Sequence, residues 1–392
     1  MAFAVVAAGL FLSGVQAQSS ALSERPLPEK AQIIDQKSFN VLEVVPPPYE
    51  FNATSTEEKL IQKQEFLWPG VTHESLTEKP FHIYDAEFFD IIGSDPSLTL
   101  VATSETDPIF HEAVVWYPPT EEVFFVQNAG PIAAGTGLNK SSIVQKISLA
   151  DAEALRTGSL GTPEVEVVTV PSSPQVINPN GGTNYQGQII FAGEGQGDHV
   201  PSALYLMNPL EPYNTTILVN NYFGRQFNSL NDVVVNRRNG DIYFTDTQYG
   251  YWQYFRPEPG LRNQVYRLNP KTGALTVVSD DFVSPNGITF SPDGTYAYRY
   301  EVKEDGTWEN RKTFAHTHAR LPDGVHTDSN GNVYAGCNDG VHVWNPSGKL
   351  IGKIYTGTVA ANFQFAGDGR MVITGQTKLF YATLAASGVA LT

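Results

Sequence analysis

From about residue 80 onward, the chain alternates short apolar or aromatic runs with clusters of Gly, Asn, Asp and Pro. Within most runs, β-branched or aromatic residues occupy every second position, as in strands that pack one face against a core. The intervening turn residues divide these runs into hairpins. The pattern therefore predicts an all-β region built from many short strands.

The hairpins share one repeated unit, which begins with a polar residue and continues as an apolar run, a turn and an aromatic-rich run. The units begin at Glu112, Asn180, Asn231, Asn286, Asp323 and Asn362. Four strands with their turns need roughly 40–50 residues, the size of one propeller blade. Six units predict a six-bladed β-propeller domain over residues 81–392. We expect Leu98–Ala102, just before the first unit, to close the ring with the last blade.

The first 80 residues lack the repeat and divide into two parts. Residues 1–17 have an apolar core and end in Val-Gln-Ala, which is typical of a cleaved signal peptide and predicts secretion. Residues 18–80 are rich in proline and are predicted to form an N-terminal arm that lies on the propeller. Sequons at Asn52, Asn139 and Asn214 are candidate glycosylation sites. We expect no membrane contact after signal cleavage.

Composition narrows the classes of partner. The 392 residues include 25 Lys and Arg against 41 Asp and Glu, which gives a formal charge of −16. Such a chain lacks the basic surface that binds nucleic acid or anionic membranes. Its single cysteine excludes an intrachain disulfide and a four-cysteine zinc site. Cys337 lies in the run VYAGC, so we expect a buried strand residue. None of these numbers predicts the oligomeric state.

The polar residues that begin the six units suggest a binding site. The innermost strand of each propeller blade lines the central channel, so equivalent positions form a ring around it. All six residues carry side-chain oxygens, and two are acidic, which suits a hard cation such as Ca²⁺. Asn and Asp before Gly are also ordinary turn residues. Six such residues in phase favour the site over turn chemistry.

Several motifs resemble the SMP-30/gluconolactonase family, and within it the secreted fungal lactonohydrolases. The motifs are His111–Trp116, Ser229–Val235, Gly240–Asp246, Ser284–Ile288 and Pro322–Val325. The resemblance implies a six-bladed propeller, a Ca²⁺ or similar divalent ion in the channel, and lactone substrates. It also implies that the metal ligands are Glu112, Asn231, Asn286 and Asp323. The assignment of Asn180 and Asn362 to the channel rests on the repeat phase alone.

One stretch departs from the family pattern. After Thr295 the chain lacks about 25 residues that the family carries, so the fourth blade is predicted to be shortened. The gap lies between Asn286 and Asp323, which are only 37 residues apart. It therefore leaves open an alternative function, a catalytically impaired propeller that binds ligands or partners. Other propeller enzymes, of the phosphotriesterase or strictosidine synthase type, are a further alternative.

For lactone hydrolysis, Asp323 is the candidate catalytic base that takes the proton of the attacking water. Asn180, Glu194 and His326 are candidate substrate-binding residues. Strand alternation predicts that His111 points away from the channel. The pair His316 and His318 has a spacing that suits a metal, but such surface pairs are common, and we expect no site there.

Overall fold

The computed structural model describes residues 25–43, 67, 71–130, 135–297, 300–319, 322–367 and 369–391. The predicted signal peptide at 1–17 and the sequon at Asn52 lie outside these residues. Asn139 and Asn214 are both exposed. Within the described part of the chain, no helix combines the length and the apolar character needed to cross a membrane.

Six sheets form a six-bladed β-propeller, which confirms the predicted fold class. Blade one consists of β4 (Glu112–Tyr117), β5 (Glu122–Val126), β6 (Val144–Ser148) and β7 (Val168–Val170). Blade two consists of β8 (Pro179–Tyr185), β9 (Gln188–Gly193), β10 (Ala203–Met207) and β11 (Thr215–Val219). Blade three consists of β12 (Ser229–Val235), β13 (Ile242–Thr247), β14 (Gln264–Leu268) and β15 (Leu275–Ser279).

The remaining blades differ in the number of their strands. Blade four consists of β16 (Tyr296–Ala297), β17 (Tyr300–Val302) and β18 (Trp308–Glu309). Blade five contains β19 (Val325–Thr327), β20 (Val333–Cys337), β21 (Gly340–Trp344) and β22 (Leu350–Tyr355), and is extended by β2 (Phe81–Ile83) and β1 (Ala31–Ile33). Blade six consists of β23 (Asn362–Phe365), β24 (Arg370–Gly375), β25 (Lys378–Thr383) and β3 (Ser97–Thr103).

Short helices lie between the strands. They are α1 (Lys37–Asn40), α2 (His73–Glu78), α3 (Phe88–Ile92), α4 (Leu149–Arg156) and α5 (Tyr249–Trp252), together with a 3₁₀ turn at Pro118–Thr120. Thr72 and Ser75 form a reciprocal capping box that begins α2. Helix α5 follows β13 and packs against β12, the innermost strand of blade three.

The ring is closed by strands from the two ends of the repeat region. β3 pairs antiparallel with β25 of the last blade, with Thr99 opposite Tyr381. This pairing confirms the expected closing role of Leu98–Ala102, and it protects the outer edge of blade six. A second edge is covered by β2, which pairs antiparallel with β22, and β1 of the N-terminal arm pairs parallel with β2.

The core is distributed between neighbouring blades. Apolar side chains from facing sheets form a buried cluster at each of the junctions one–two, two–three, three–four, five–six and six–one. The junction between blades four and five is different, because among the described residues its buried members are only Ala335, Cys337 and Trp344, packed against residues of segment 314–319. A cavity of about 770 Å³ lies beside this segment. The burial of Cys337 agrees with its predicted place in a strand.

Blade four is thin, as the missing residues predicted. In the part of the blade that the structure describes, its three strands contain two, three and two residues, and its innermost position has only an isolated bridge between Phe290 and Ala297. Among the described residues, Asn286 to Ile288 lie in no strand. Even so, Ile288, Phe290 and Trp308 are buried, so the blade keeps a packed face toward blade three.

Candidate functional site

The residues that begin the six units meet at one end of the channel. Glu112 and Asn362 begin their strands, Asn180 and Asn231 lie near the beginning of theirs, and Asp323 lies two residues before β19. Asn286 lies at the equivalent point of blade four. The first strands of blades one, two and three each have a register shift at this position. Such bulges redirect side chains, so here they turn the polar residues from the sheet into the channel.

Four of these side chains are in direct contact. Asn362 Nδ2 donates a hydrogen bond to Glu112 Oε2 at 2.5 Å. The Glu112 and Asp323 carboxyls share a hydrogen bond, and the Asn286 side chain hydrogen-bonds Asp323. Blades one, four, five and six therefore each contribute one oxygen-bearing side chain to a single cluster.

Asn180 and Asn231 line the adjoining side of the ring. Both are buried. Asn180 Nδ2 donates to Glu194 Oε1 at 3.2 Å, while its Oδ1 has no hydrogen-bond partner among the described residues. A buried amide oxygen without a donor is costly unless another group, such as a cation or substrate hydroxyl, pairs with it. A β-carbon on Gly181 would lie 2.5 Å from the Asn231 carbonyl oxygen, so the inner strands of blades two and three touch here.

The carboxyls of the cluster have raised pKa values, because they are shielded from water. Burial raises the pKa of Glu112 well above its usual value, and the neighbouring Asp323 and Asp232 raise it further. Burial also raises the pKa of Asp323 to about 6, against the hydrogen bonds from Glu112 and Asn286. Two adjacent carboxyls, one buried and one partly buried, repel each other when both are ionised, so a positive charge beside them favours their ionised forms. Together with the orphaned Asn180 oxygen, this donor set fits a hard divalent cation.

Asp232 is a site residue that the repeat phase did not identify. It follows Asn231, and its carboxylate accepts hydrogen bonds from the backbone N–H of Val233 at 2.8 Å and of Ile288 at 3.0 Å. Burial raises the pKa of Asp232 to about 7. Its side chain therefore links blade three to the segment that carries Asn286. The sequence feature that could have identified Asp232 is its position directly after the ring residue Asn231.

Tyr249, the first residue of α5, is a second residue that sequence reasoning missed. Its hydroxyl accepts a hydrogen bond from Asn286 Nδ2 at 3.4 Å. Burial raises its pKa, and the negative charges of Asp323, Glu112 and Glu194 raise it further. Tyr249 therefore faces the same ring of acids. Tyr249 lies in a helix that is not part of the repeated unit, so aligning the repeats could not identify it as a site residue.

Glu194 follows β9 and is buried beside the ring. Ser229 Oγ donates to its Oε2 at 2.6 Å, and Asn180 Nδ2 donates to its Oε1. Burial raises the pKa of Glu194 to about 7, although these donors and the charge of Arg256 oppose the rise. Glu194 therefore lies within one hydrogen bond of a ring residue.

His326 lies farther along the channel than the ring. Its Nε2 is 3.2 Å from Asn362 Oδ1, and its ring lies edge-on to Phe363. It lines a small cavity of about 90 Å³ together with mid-strand residues such as Thr183 and Gln364. Burial lowers the pKa of His326 to about 4. The structure therefore places it against Asn362, and its substrate-binding role stays a prediction.

The other histidines of the sequence analysis lie away from the ring. His111 Nδ1 is 3.1 Å from Gln376 Nε2, a residue that follows β24 of blade six. His316 is exposed. His318 does not pair with His316, as its ring lies 5.1 Å from that of His342 on blade five.

Comparison with known proteins agrees with this architecture. Residues 199–377 match the family model of the SMP-30/gluconolactonase/LRE-like region. The chain is 26% identical to lactonohydrolase oryL of Aspergillus oryzae over 320 residues, which cover 71% of this chain and 68% of the relative. It is 31% identical to the gluconolactonase of Zymomonas mobilis over 163 residues, which cover 36% and 45% of the two chains. The resemblance to this family is thereby confirmed.

Solved structures show the same fold. A gluconolactonase from Xanthomonas campestris aligns with a TM-score of 0.62 at 24% identity, covering 78% of this chain and 95% of the other. The calcium-binding protein regucalcin from Agrobacterium tumefaciens aligns with a TM-score of 0.50 at 14% identity, covering 75% and 97%. At these identities the alignments establish the propeller fold.

Proposed function

We propose that this protein is a lactonase that opens aldonolactones or pantoyl lactone to hydroxy acids, using a divalent cation at the channel ring. The observation that carries the proposal is the contact between the buried Glu112 carboxyl and the partly buried Asp323 carboxyl, among amide side chains at the end of a propeller channel. The similarity to lactonohydrolases and a gluconolactonase supports lactone hydrolysis in general.

The proposed ligands are Glu112, Asn231, Asn286 and Asp323. Their carboxylate and amide oxygens suit Ca²⁺, and the absence of His and Cys from this set argues against zinc or copper. A bound Ca²⁺ would polarise the lactone carbonyl and stabilise the oxyanion, which typically contributes several kcal/mol. The two carboxylates balance the charge of a divalent ion, and because the two asparagines are neutral, they add no further negative charge against the substrate.

The protein groups divide the remaining work. Asp323 accepts the proton of the attacking water, since it is the carboxylate of the ring that also contacts Glu112 and Asn286. Glu112 holds the cation and is fixed by the donor Asn362. The orphaned Asn180 oxygen and the Glu194 carboxyl form one polar wall, which suits the hydroxyl groups of an aldonolactone or pantoyl lactone.

The thin fourth blade motivates the alternative, a propeller that binds a ligand or partner without turnover. The structure keeps Asn286 in contact with Asp323 in spite of the missing strand, and this contact favours the enzyme. We also propose that residues 1–17 direct secretion. N-terminal sequencing of protein from the culture medium tests this, and an intact Met1 there would contradict it.

The direct test is a pH-stat assay with glucono-δ-lactone and pantoyl lactone, with EDTA and after addition of Ca²⁺. We expect hydrolysis that EDTA abolishes and Ca²⁺ restores. Calcium binding without any rate above the spontaneous one would instead support the binding protein. Activity on paraoxon with none on either lactone would indicate a phosphotriesterase-type hydrolase.

The Asp323→Asn variant tests the role of the base. It should lower kcat/KM by a factor of about 10² or more, since general-base catalysis typically contributes 10²–10⁴. Asp246→Asn is the matched control, because Asp246 is also a buried aspartate with a raised pKa but lies outside the ring. Circular dichroism should show both variants folded, and full activity of Asp323→Asn would refute the assignment.

A further inference from the structure

A second group of polar side chains is buried in blade five, away from the channel ring. Asp339 lies in the turn between β20 and β21, His342 lies on β21, and Lys353 is its cross-strand partner on β22. All three are at most 3% exposed. The proposed lactonase chemistry uses none of them. Even paired charges are costly to bury, so this group requires its own explanation.

The side chains converge on one point. His342 Nε2 lies 2.8 Å from Asp339 Oδ1, and Lys353 Nζ donates to Asp339 Oδ2 at 2.5 Å. His318 reaches the same point from the segment that covers blade five, with its Nε2 3.4 Å from Lys353 Nζ. His318, Asp339 and His342 each offer one ligand atom, and these three atoms lie within 4.8 Å of one another.

Two imidazole nitrogens and one carboxylate oxygen form a donor set typical of zinc and similar transition metals. The channel ring, by contrast, offers only oxygens and suits a hard cation. Three protein ligands leave a coordination position for water, as at open zinc sites. His318 is exposed, so the group reaches solvent through this residue, while Asp339 and His342 are buried. The two groups should therefore select different metals.

We propose that His318, Asp339 and His342 form a second metal site, for a zinc-class divalent ion, and that the Lys353 ammonium competes for it. The ammonium contacts two of the three ligand residues, which shows that this point already accommodates a cation. A divalent ion must displace that charge or its proton. When bound, the ion links the covering segment Phe314–Ala319 to the sheet of blade five, at the junction where the apolar core is smallest. This proposal does not rest on the lactonase activity.

The test is titration of the metal-free full-length protein with Zn²⁺ against a chromophoric chelator, in excess Ca²⁺ to occupy the channel. Co²⁺ serves as a spectroscopic probe, because Co²⁺ bound by histidines with a low coordination number absorbs visible light. We expect one tight site, weakened at least tenfold by His318→Ala and by His342→Ala. The matched control His316→Ala changes an exposed histidine two residues away and should leave the affinity unchanged.

Lys353→Met gives the sharper result. Removal of the competing ammonium should tighten Zn²⁺ binding at least tenfold, and Zn²⁺ should raise the Tm of this variant more than that of the wild type. If His342→Ala fails to fold, His318→Ala still tests the site, since His318 is exposed. Zinc affinity that is unchanged in His318→Ala, or weakened in Lys353→Met, would overturn the proposal.

Discussion

Blades three and four each place one asparagine in the channel ring, but they hold it by different means. Asn231 lies in β12, part of a complete sheet whose four strands contain five to seven residues. Asn286 precedes a sheet whose strands contain two or three residues. Both asparagines nevertheless lie at the same end of the channel. The comparison shows that a ring position does not require a complete blade behind it.

Side chains of the flanking blades replace the missing strand ladder. Thr245 Oγ1 of blade three donates to the Asn286 carbonyl at 3.1 Å, and the Asp232 carboxylate accepts from the Ile288 N–H. On the other side, Thr327 Oγ1 of blade five donates to the Phe290 carbonyl at 2.9 Å. The segment of blade four is therefore held from both sides. Because the ring is closed, each blade is positioned by its neighbours as well as by its own sheet.

The largest effect is expected from the core of blade four. Trp308 is 8% exposed and stacks on Tyr243 of blade three with ring centroids 5.8 Å apart. Trp308→Ala should lower the free energy of unfolding by about 3–5 kcal/mol. Tyr266→Ala, a matched aromatic truncation within blade three, should cost a similar amount. Urea denaturation with and without Ca²⁺ distinguishes the two variants, because only Trp308→Ala should also reduce the increase in the free energy of unfolding that Ca²⁺ gives. If Ca²⁺ stabilises both variants less than the wild type and by the same amount, blade four has no special role in holding Asn286.

The pH dependence of stability should report on Asp246, a buried acid of blade three that lies outside the ring. Burial raises the folded-state pKa of Asp246 to about 7, whereas the unfolded value is near its usual 3.8. The folded state therefore holds this proton more tightly, so the contribution of Asp246 is fully present below pH 4 and is lost as the pH rises through 7. Between pH 5 and 7.5 the loss reaches up to about 3 kcal/mol. Asp246→Asn should flatten the pH dependence of stability in urea titrations, and an unchanged slope would contradict this account.

Two buried aspartates offer a closely matched pair. Asp232 accepts two backbone N–H groups, from Val233 and Ile288, and Asp246 accepts two, from Asn228 and Ser229. Replacement of either by Ala should cost about 2 kcal/mol, since it leaves buried donors unpaired. Only Asp232→Ala should also weaken Ca²⁺ binding, by about tenfold or 1.4 kcal/mol, because it frees the segment of Asn286. Calorimetric titration with Ca²⁺ checks this, and equal affinities in the two variants would be evidence that the hydrogen bond between Asp232 and Ile288 does not position Asn286.

The smallest effect concerns a single hydroxyl. Thr245→Val keeps the shape of the side chain but removes both the donor to the Asn286 carbonyl and the acceptor of the Asp232 N–H. It should cost about 1 kcal/mol in stability and reduce Ca²⁺ affinity less than Asp232→Ala does. Thr247→Val is the control on the same strand, because Thr247 Oγ1 is buried and has no hydrogen-bond partner among the described residues. If the two variants are equally destabilised, the hydrogen bond to blade four makes no measurable contribution to the free energy of unfolding.

The repeat phase was informative about the ring because a propeller places equivalent strand positions at equivalent radii. It therefore brought Glu112, Asp323 and Asn362 together across some 250 residues of chain. It could not identify Tyr249, which lies in a helix between strands of the same blade. From the sequence, no site is expected at His316 and His318, and local spacing could not show that His318 lies beside Asp339 and His342.

The sequence by itself determined the class of fold, the number of blades, the closing strand and the thin fourth blade. These features depend on local alternation and on a repeat that short-range chemistry makes visible. Only the tertiary structure decided how Asn286 is held, how β1 and β2 extend blade five, and which charges meet inside that blade. Such contacts join residues far apart in the chain, and nothing in the local pattern of either partner specifies the other.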